Sequence, residues 1–446
     1  TKPGGGISLD TASTVIDAPM MSLYRSIWRC LPSIIATIGL VFPLAGRAQT
    51  TPFSQDVYAA MEAGFDYLRR HQDQNGGVFG RIDGLAALAF MEMRASADVR
   101  AGGLGFDGLE LEDQARVVRA IRGCIELRSG FPANAVIDDG PYPLYEASAC
   151  VMGLTRYVVS GGPDNVGANQ GVRAALADAV RYVIDAQTNP DLGTNPASWR
   201  YLPAGGTPDL SVTQFALAAL AAARVVIEGP LDDTIALTIE RYFPRVRRDT
   251  ELYAYQASQA AYPRGNPVMT GAALWGYRMG RVPVEDARVQ ALLVWFRDHW
   301  AAWVDNGTAR GPLYTTSGLG GRDLNGKLTY HLWTMAKALL ATERGPAAAV
   351  TSTAVGGHRD PALDGYPEEP RSWFYDIAWA AMDAQLVDGS WLGWNDEVRF
   401  PRAASTVFAL LALQRTLGAC VDEDRDGDGF CDDDNCPDVP NPDQLD

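Results

Sequence analysis

The feature that most constrains this chain is a recurring helix pair. Between about residues 55 and 418 an amphipathic helix is followed by a loop and then by a more apolar helix, six times over. The first kind covers Val57–Gln72, Glu112–Arg128, Ala175–Gln187, Leu231–Val246, Val284–Trp300 and Ser372–Gln385. The second kind starts at residues 84, 148, 211, 268, 327 and 404, with spacings between 57 and 77 residues. In the second kind, apolar side chains fall at helical spacing, as at Phe215, Ala218, Ala219 and Ala222. Its small residues allow helices to approach closely. A period of this length marks a repeat architecture in which each pair buries its face on its neighbours. Six pairs predict an all-α fold closed into a double ring around a central cavity, rather than an open solenoid. Asp232-Asp233-Thr234, Ser211 and Ser405 read as helix caps.

Both flanks differ from this body. Arg25 and Arg29 precede an apolar run from Cys30 to Leu44, which ends in Ala45-Gly46-Arg47-Ala48. A positive segment, a short apolar segment and small residues before a cut predict an export signal, so residues 1–48 read as an upstream segment and signal peptide. Export admits disulfides. Cys124 falls near the end of one outer helix and Cys150 near the start of its inner partner, so the two are expected to pair. The pairing of Cys420, Cys431 and Cys436 stays open.

Composition changes abruptly after Gly418. Residues 419–446 carry eleven acidic residues against Arg425 alone, ten net negative charges out of a formal −16 for the chain. The body, residues 49–418, is therefore only mildly acidic, and a nucleic-acid partner is not expected. In the tail, carboxylates alternate at Asp424, Asp426 and Asp428, and Gly429 permits a sharp turn. Successive odd positions of such a loop converge on one hard cation. The expected Ca2+ ligands are Asp424, Asp426, Asp428, the Phe430 carbonyl, and Asp432 or Asp434 to close the site. The tail, from Asp422 through Cys431 to Asp434-Asn435-Cys436-Pro437, resembles a thrombospondin type 3 repeat, and the resemblance implies a calcium-binding extracellular or cell-surface protein.

The body carries a second resemblance. Gln385-Leu386-Val387-Asp388-Gly389-Ser390-Trp391 is similar to the QW motif of squalene-hopene cyclases, with degenerate copies at Gln72 to Phe79 and at Gln187 with Trp199-Arg200-Tyr201. That resemblance implies the α/α toroid shared by terpenoid cyclases and protein prenyltransferases. In those repeats the Gln caps backbone and the Trp stacks upon it. The family's chemistry transfers poorly. Class II cyclases protonate an alkene with the central Asp of Asp-x-Asp-Asp-Thr. On Pro208–Thr213 the first Asp matches Asp209 and the Thr matches Thr213, but the acid position falls on Ser211. Tyr330-His331 resembles the Tyr-His segment of the zinc-binding prenyltransferase β subunits. No cysteine occurs between Cys150 and Cys420 to complete that ligand set.

The residues expected to face the cavity are Asp209, Phe215, Trp275, Tyr330, His331 and Trp333. Core packing is the plainer account of the aromatic ones. Two functional readings follow. The first is an exported calcium-binding protein whose toroid is catalytically silent and binds an unidentified ligand. The alternative is an enzyme using the toroid cavity, terpenoid-type or carbohydrate-active; a glycoside hydrolase would need two carboxyl groups across it.

Overall fold

The computed structural model describes residues 50–72, 82–98, 102–129, 143–189, 196–201, 207–248, 252–258, 265–304, 328–343, 348–392 and 402–415, all within the unit Ala48–Asp446. The expected signal and every expected calcium ligand lie outside them. Among the described residues, twelve helices longer than one turn alternate between two rings. The outer ring holds α1 (Pro52–His71), α3 (Leu111–Ser129), α5 (Val172–Asp185), α7 (Leu231–Arg241), α9 (Ala287–Val304) and α11 (Trp373–Asp383). The inner ring holds α2 (Asp83–Met91), α4 (Pro143–Val159), α6 (Leu210–Ala223), α8 (Pro267–Met279), α10 (Leu328–Leu340) and α12 (Arg402–Leu413). Each inner helix packs on the next, and α12 packs back on α2. The fold is thus a closed α/α toroid, as the six-fold periodicity predicts, and the described residues contain isolated bridges but no strands.

The composition of each ring explains its place. Inner helices are buried on nearly all sides; every residue of α2 and α6 is buried. Outer helices bury one stripe, as in α5, where Val172, Ala175, Leu176, Ala179, Val180 and Val183 face inward. Small residues set the closest crossing. A Cβ added to Gly84 of α2 would lie 2.2 Å from the Ala149 carbonyl oxygen of α4, and one on Gly153 would lie 2.3 Å from that of Gly84. Behind this crossing Cys124 of α3 and Cys150 of α4 form the expected disulfide, with Cα atoms 5.6 Å apart.

Several helix starts differ from the sequence reading. The cap of α6 is Asp209, not Ser211, and Ser405 lies within the first turn of α12. Helix α7 starts at Leu231 without a side-chain cap, so Asp232 and Asp233 occupy its first turn. Nor does α7 reach Val246. It ends at Arg241 and a one-turn helix, Phe243–Val246, follows. Pro244 is the cause, since proline cannot donate the interior bond and clashes with the preceding turn.

Glutamines lock the outer ring. Gln72, after α1, donates to the Arg116 carbonyl on α3 at 3.0 Å. Gln187, after α5, donates to the Thr234 carbonyl on α7 at 3.1 Å and to Thr238 Oγ1 at 2.9 Å. Gln385, after α11, donates to the Ala60 carbonyl on α1 at 2.8 Å and closes the circle. After Gln187 and Gln385 a Trp ties the loop inward. Trp199 and Trp391 each donate Nε1 to an outer-helix carbonyl at 2.7 Å, from Val183 and Ala381. Their backbone amides donate to Thr213 Oγ1 and Thr406 Oγ1 on the inner helices. Tyr253 takes the same place in its repeat, donating to Thr270 Oγ1 at 3.0 Å.

The inner helices run parallel. Their C-terminal ends meet at one end of the ring, the floor, where Arg224 donates to the Met279 carbonyl, Arg278 to Ala341 and Gln414 to Ala89. Lys337 of α10 meets Glu92 just past α2 at 3.3 Å, both buried. The N-terminal ends meet at the other end, the mouth.

Candidate functional site

The mouth is organised by Asp209. Its extended backbone lets the carboxylate turn onto the start of α6, where Oδ1 accepts from the Ser211 and Val212 amides at 3.0 Å each. The Ser211 hydroxyl donates to the same oxygen at 2.5 Å. A carboxylate only accepts, so this fixes the serine proton, and Ser211 Oγ must in turn accept from the Tyr145 hydroxyl at 2.5 Å. Tyr145 sits in the first turn of α4. Two more tyrosines arrive from loops before inner helices. Tyr201 and Tyr255 bring their hydroxyls together, and the Tyr255 carbonyl accepts from the Leu210 amide at 2.8 Å, anchoring its loop to α6. Opposite them Tyr330, in the first turn of α10, donates to Gln214 Oε1 at 2.7 Å, while Gln214 Nε2 reaches Thr334 Oγ1 at 3.3 Å.

Burial governs the electrostatics. Asp209 is fully buried, and loss of water pushes its carboxyl up to about 6 against the pull of its own hydrogen bonds. Its second oxygen, Oδ2, meets no donor in full hydrogen-bond geometry, although the Tyr255 hydroxyl lies near enough to favour the charged form. Burial also raises Tyr145 well above the ordinary phenol range and Tyr201 to about 12, with the Asp209 charge adding to both. Tyr145, Tyr201, Tyr255 and Tyr330 are each half-buried. Among the described residues the mouth therefore presents protonated phenols around one carboxyl whose ionisation is costly.

Beneath this polar layer the ring is filled by aromatic side chains. Phe215 meets Tyr145 edge-on at 4.7 Å and Trp333 at 5.3 Å. Trp333 stacks on Phe408 at 5.1 Å and meets Trp275 edge-on at 5.2 Å. All four are at most 4% exposed.

Of the residues singled out in the sequence, Asp209 and Tyr330 reach the mouth, whereas Phe215, Trp275 and Trp333 form the packed layer. His331 is buried on α10, and burial lowers its pKa well below the usual imidazole value, so it is neutral. Among the described residues no group of three His, Cys, Asp or Glu side chains could hold a metal ion. The sequence reading misses Tyr145, Tyr201, Tyr255 and Gln214 as site residues, and takes Ser211 for a helix cap and a lost acid. A signal for two of these existed in the repeat. Tyr201 stands two residues after Trp199, and Tyr255 two residues after Tyr253, the residue that replaces Trp.

No protein-family model matches the chain, and no curated protein matches it. Among solved structures a polysaccharide lyase superposes with a TM-score of 0.47 at 14% identity, over 81% of this chain and 97% of that one.

Proposed function

We propose that the protein is an exported toroid that binds a hydroxyl-rich ligand of the carbohydrate class at the mouth of its inner ring, carried beside a calcium-binding tail. The observation that carries this is the convergence of four tyrosine hydroxyls, Ser211 and Gln214 around Asp209 above an aromatic layer. Phenol and amide groups both donate and accept, which suits a ligand bearing many hydroxyls. The half-buried tyrosine rings suit the C–H faces between those hydroxyls. A hydrocarbon ligand would leave the remaining hydrogen-bonding capacity of these mutually paired groups unused, and Ser211 stands where a cyclase needs its acid. These points favour a sugar-like ligand over a terpenoid one.

Export is supported by the Arg25-to-Ala48 pattern and by the Cys124–Cys150 disulfide, a bond of oxidising compartments. No helix among the described residues is long and apolar enough to cross a membrane. The calcium proposal rests on the alternating carboxylates of the tail.

Calorimetric titration of the full chain with a panel of oligosaccharides tests the binding reading. Binding should weaken roughly 2- to 10-fold in Tyr330→Phe, the cost of one neutral hydrogen bond. Saturable binding of squalene or a prenyl diphosphate, with no oligosaccharide bound, would overturn it. Titration with calcium tests the tail: heat should appear at millimolar calcium or below and vanish in Asp426→Ala.

A further inference from the structure

We propose that Tyr145, Ser211 and Asp209 form a proton relay, with Tyr145 the catalytic residue that takes a proton from the bound ligand and returns it. This rests on reading the mouth as the ligand site, and it adds an activity, acid–base catalysis, to binding. Two consecutive short hydrogen bonds lead from the half-buried Tyr145 hydroxyl, through Ser211 Oγ, to the fully buried Asp209 Oδ1. The link from Ser211 to the carboxylate is 2.5 Å, within the range of charge-assisted O–H bonds, and the Tyr145 hydroxyl is within hydrogen-bond reach of Ser211 Oγ. A serine used only to cap α6 would be redundant here, because Asp209 already caps it.

The step balances without a co-reactant. One bond to hydrogen on the ligand breaks and one forms on Tyr145 Oη. The tyrosine's own proton passes to Ser211 Oγ, and the serine's proton passes to Asp209 Oδ1. The ligand keeps the electron pair, Asp209 becomes a carboxylic acid, and Tyr145 and Ser211 end as they began. Return of the proton reverses each transfer. The chain therefore has two senses. With Asp209 ionised, the hydroxyl hydrogens point inward and Tyr145 offers lone pairs. With Asp209 protonated, they point outward and Tyr145 offers a hydrogen.

The wall around the carboxyl suits this role. Among the described residues the titratable groups facing it are phenols: Tyr145 from α4, Tyr201 and Tyr255 from the loops before α6 and α8, Tyr242 after α7, and Tyr330 from α10. Arg248 lies nearest to Tyr242 in that wall. The Asp209 carboxyl, held near 6, changes state within the ordinary working range of pH while every phenol around it stays protonated.

The test uses the full chain labelled with 13C at tyrosine Cζ, the Tyr145 signal being assigned by its loss in Tyr145→Phe. Between pH 4 and 8 that signal should shift with a midpoint near 6 in the parent and stay flat in Asp209→Asn. In Ser211→Ala it should shrink to the small through-space effect of the carboxylate, while Tyr255, beside the carboxyl, continues to titrate in full. Ser211→Thr keeps the hydroxyl and should restore the Tyr145 shift. A merely structural serine would leave the Tyr145 titration unchanged in Ser211→Ala, which would overturn the relay, as would a flat signal in the parent. Oligosaccharide binding measured on the same samples separates the two readings. Binding without a Tyr145 titration rejects the relay alone, and a titration without any binding rejects the ligand class and with it the catalytic role.

Discussion

At the scale of single residues, Asp209 governs the mouth and leaves a measurable mark on stability. Its carboxyl is held near 6 in the fold, against an ordinary value of 3.8. Below both values the folded and unfolded chains are equally protonated and nothing is lost. As pH rises from about 4 to about 6 the unfolded chain releases its proton first, so stability should fall, by about 3 kcal/mol once both are ionised. Asp209→Asn keeps a capping side chain, as Asn266 does for α8, and should remove that decline. Urea melts at pH 4, 5, 6 and 7 check this; an unchanged decline in the variant would assign it to another group. The sequence made Asp209 visible as one letter of a motif but misjudged its work. The Asp-x-Asp-Asp-Thr template asks for an acid at residue 211, whereas the fold brings the working partners of residue 209 from Tyr145, Tyr201 and Tyr255. Those contacts cross three repeats, and a linear reading of hydrophobic spacing carries no information about them.

At the scale of elements, the pair α3–α4 is the most heavily constrained. The Cys124–Cys150 bond spans 26 residues of sequence. On a chain-entropy account, closing a loop of that size contributes about 3–4 kcal/mol. Reduction, or Cys124→Ala with Cys150→Ala, should lower the melting temperature by several degrees in a calorimetric scan; no change would mean that packing alone holds the pair. Gly84→Ala should cost more than a typical core change, because its Cβ would meet Ala149 backbone rather than a side chain able to move. Helices were legible because their apolar spacing is local. The inner helices could be read as a class from their small residues, yet α4 begins at Pro143, five residues before the expected start at Ser148. Proline suits a first helical turn, but in Pro141-Tyr142-Pro143 it reads equally well as loop. The break after α7 is signalled by Pro244, but the apolar stripe continues through Val246 and hides it.

At the scale of the whole molecule, closure changes how stability is shared. In an open solenoid the end repeats fray independently, whereas here α12 covers α2 and Gln385 secures α11 to α1. Ending the chain at residue 401 should therefore expose two inner faces at once and abolish cooperative melting, whereas ending it at residue 418 should leave the melt intact. A sharp, unshifted transition in the 401 truncation would show that the last helix is dispensable. The parallel inner ring has an electrical consequence as well. Peptide dipoles aligned along six helices add, leaving the mouth fractionally positive and the floor fractionally negative. The basic side chains follow that field: Arg94, Arg156, Arg224, Arg278, Lys337 and Arg415 stand one to each inner helix, at or just past its C-terminal end. The inner ring is thus polarised along its axis, and it sets the buried Asp209 carboxyl at the positive end, where the aligned dipoles favour its charged form.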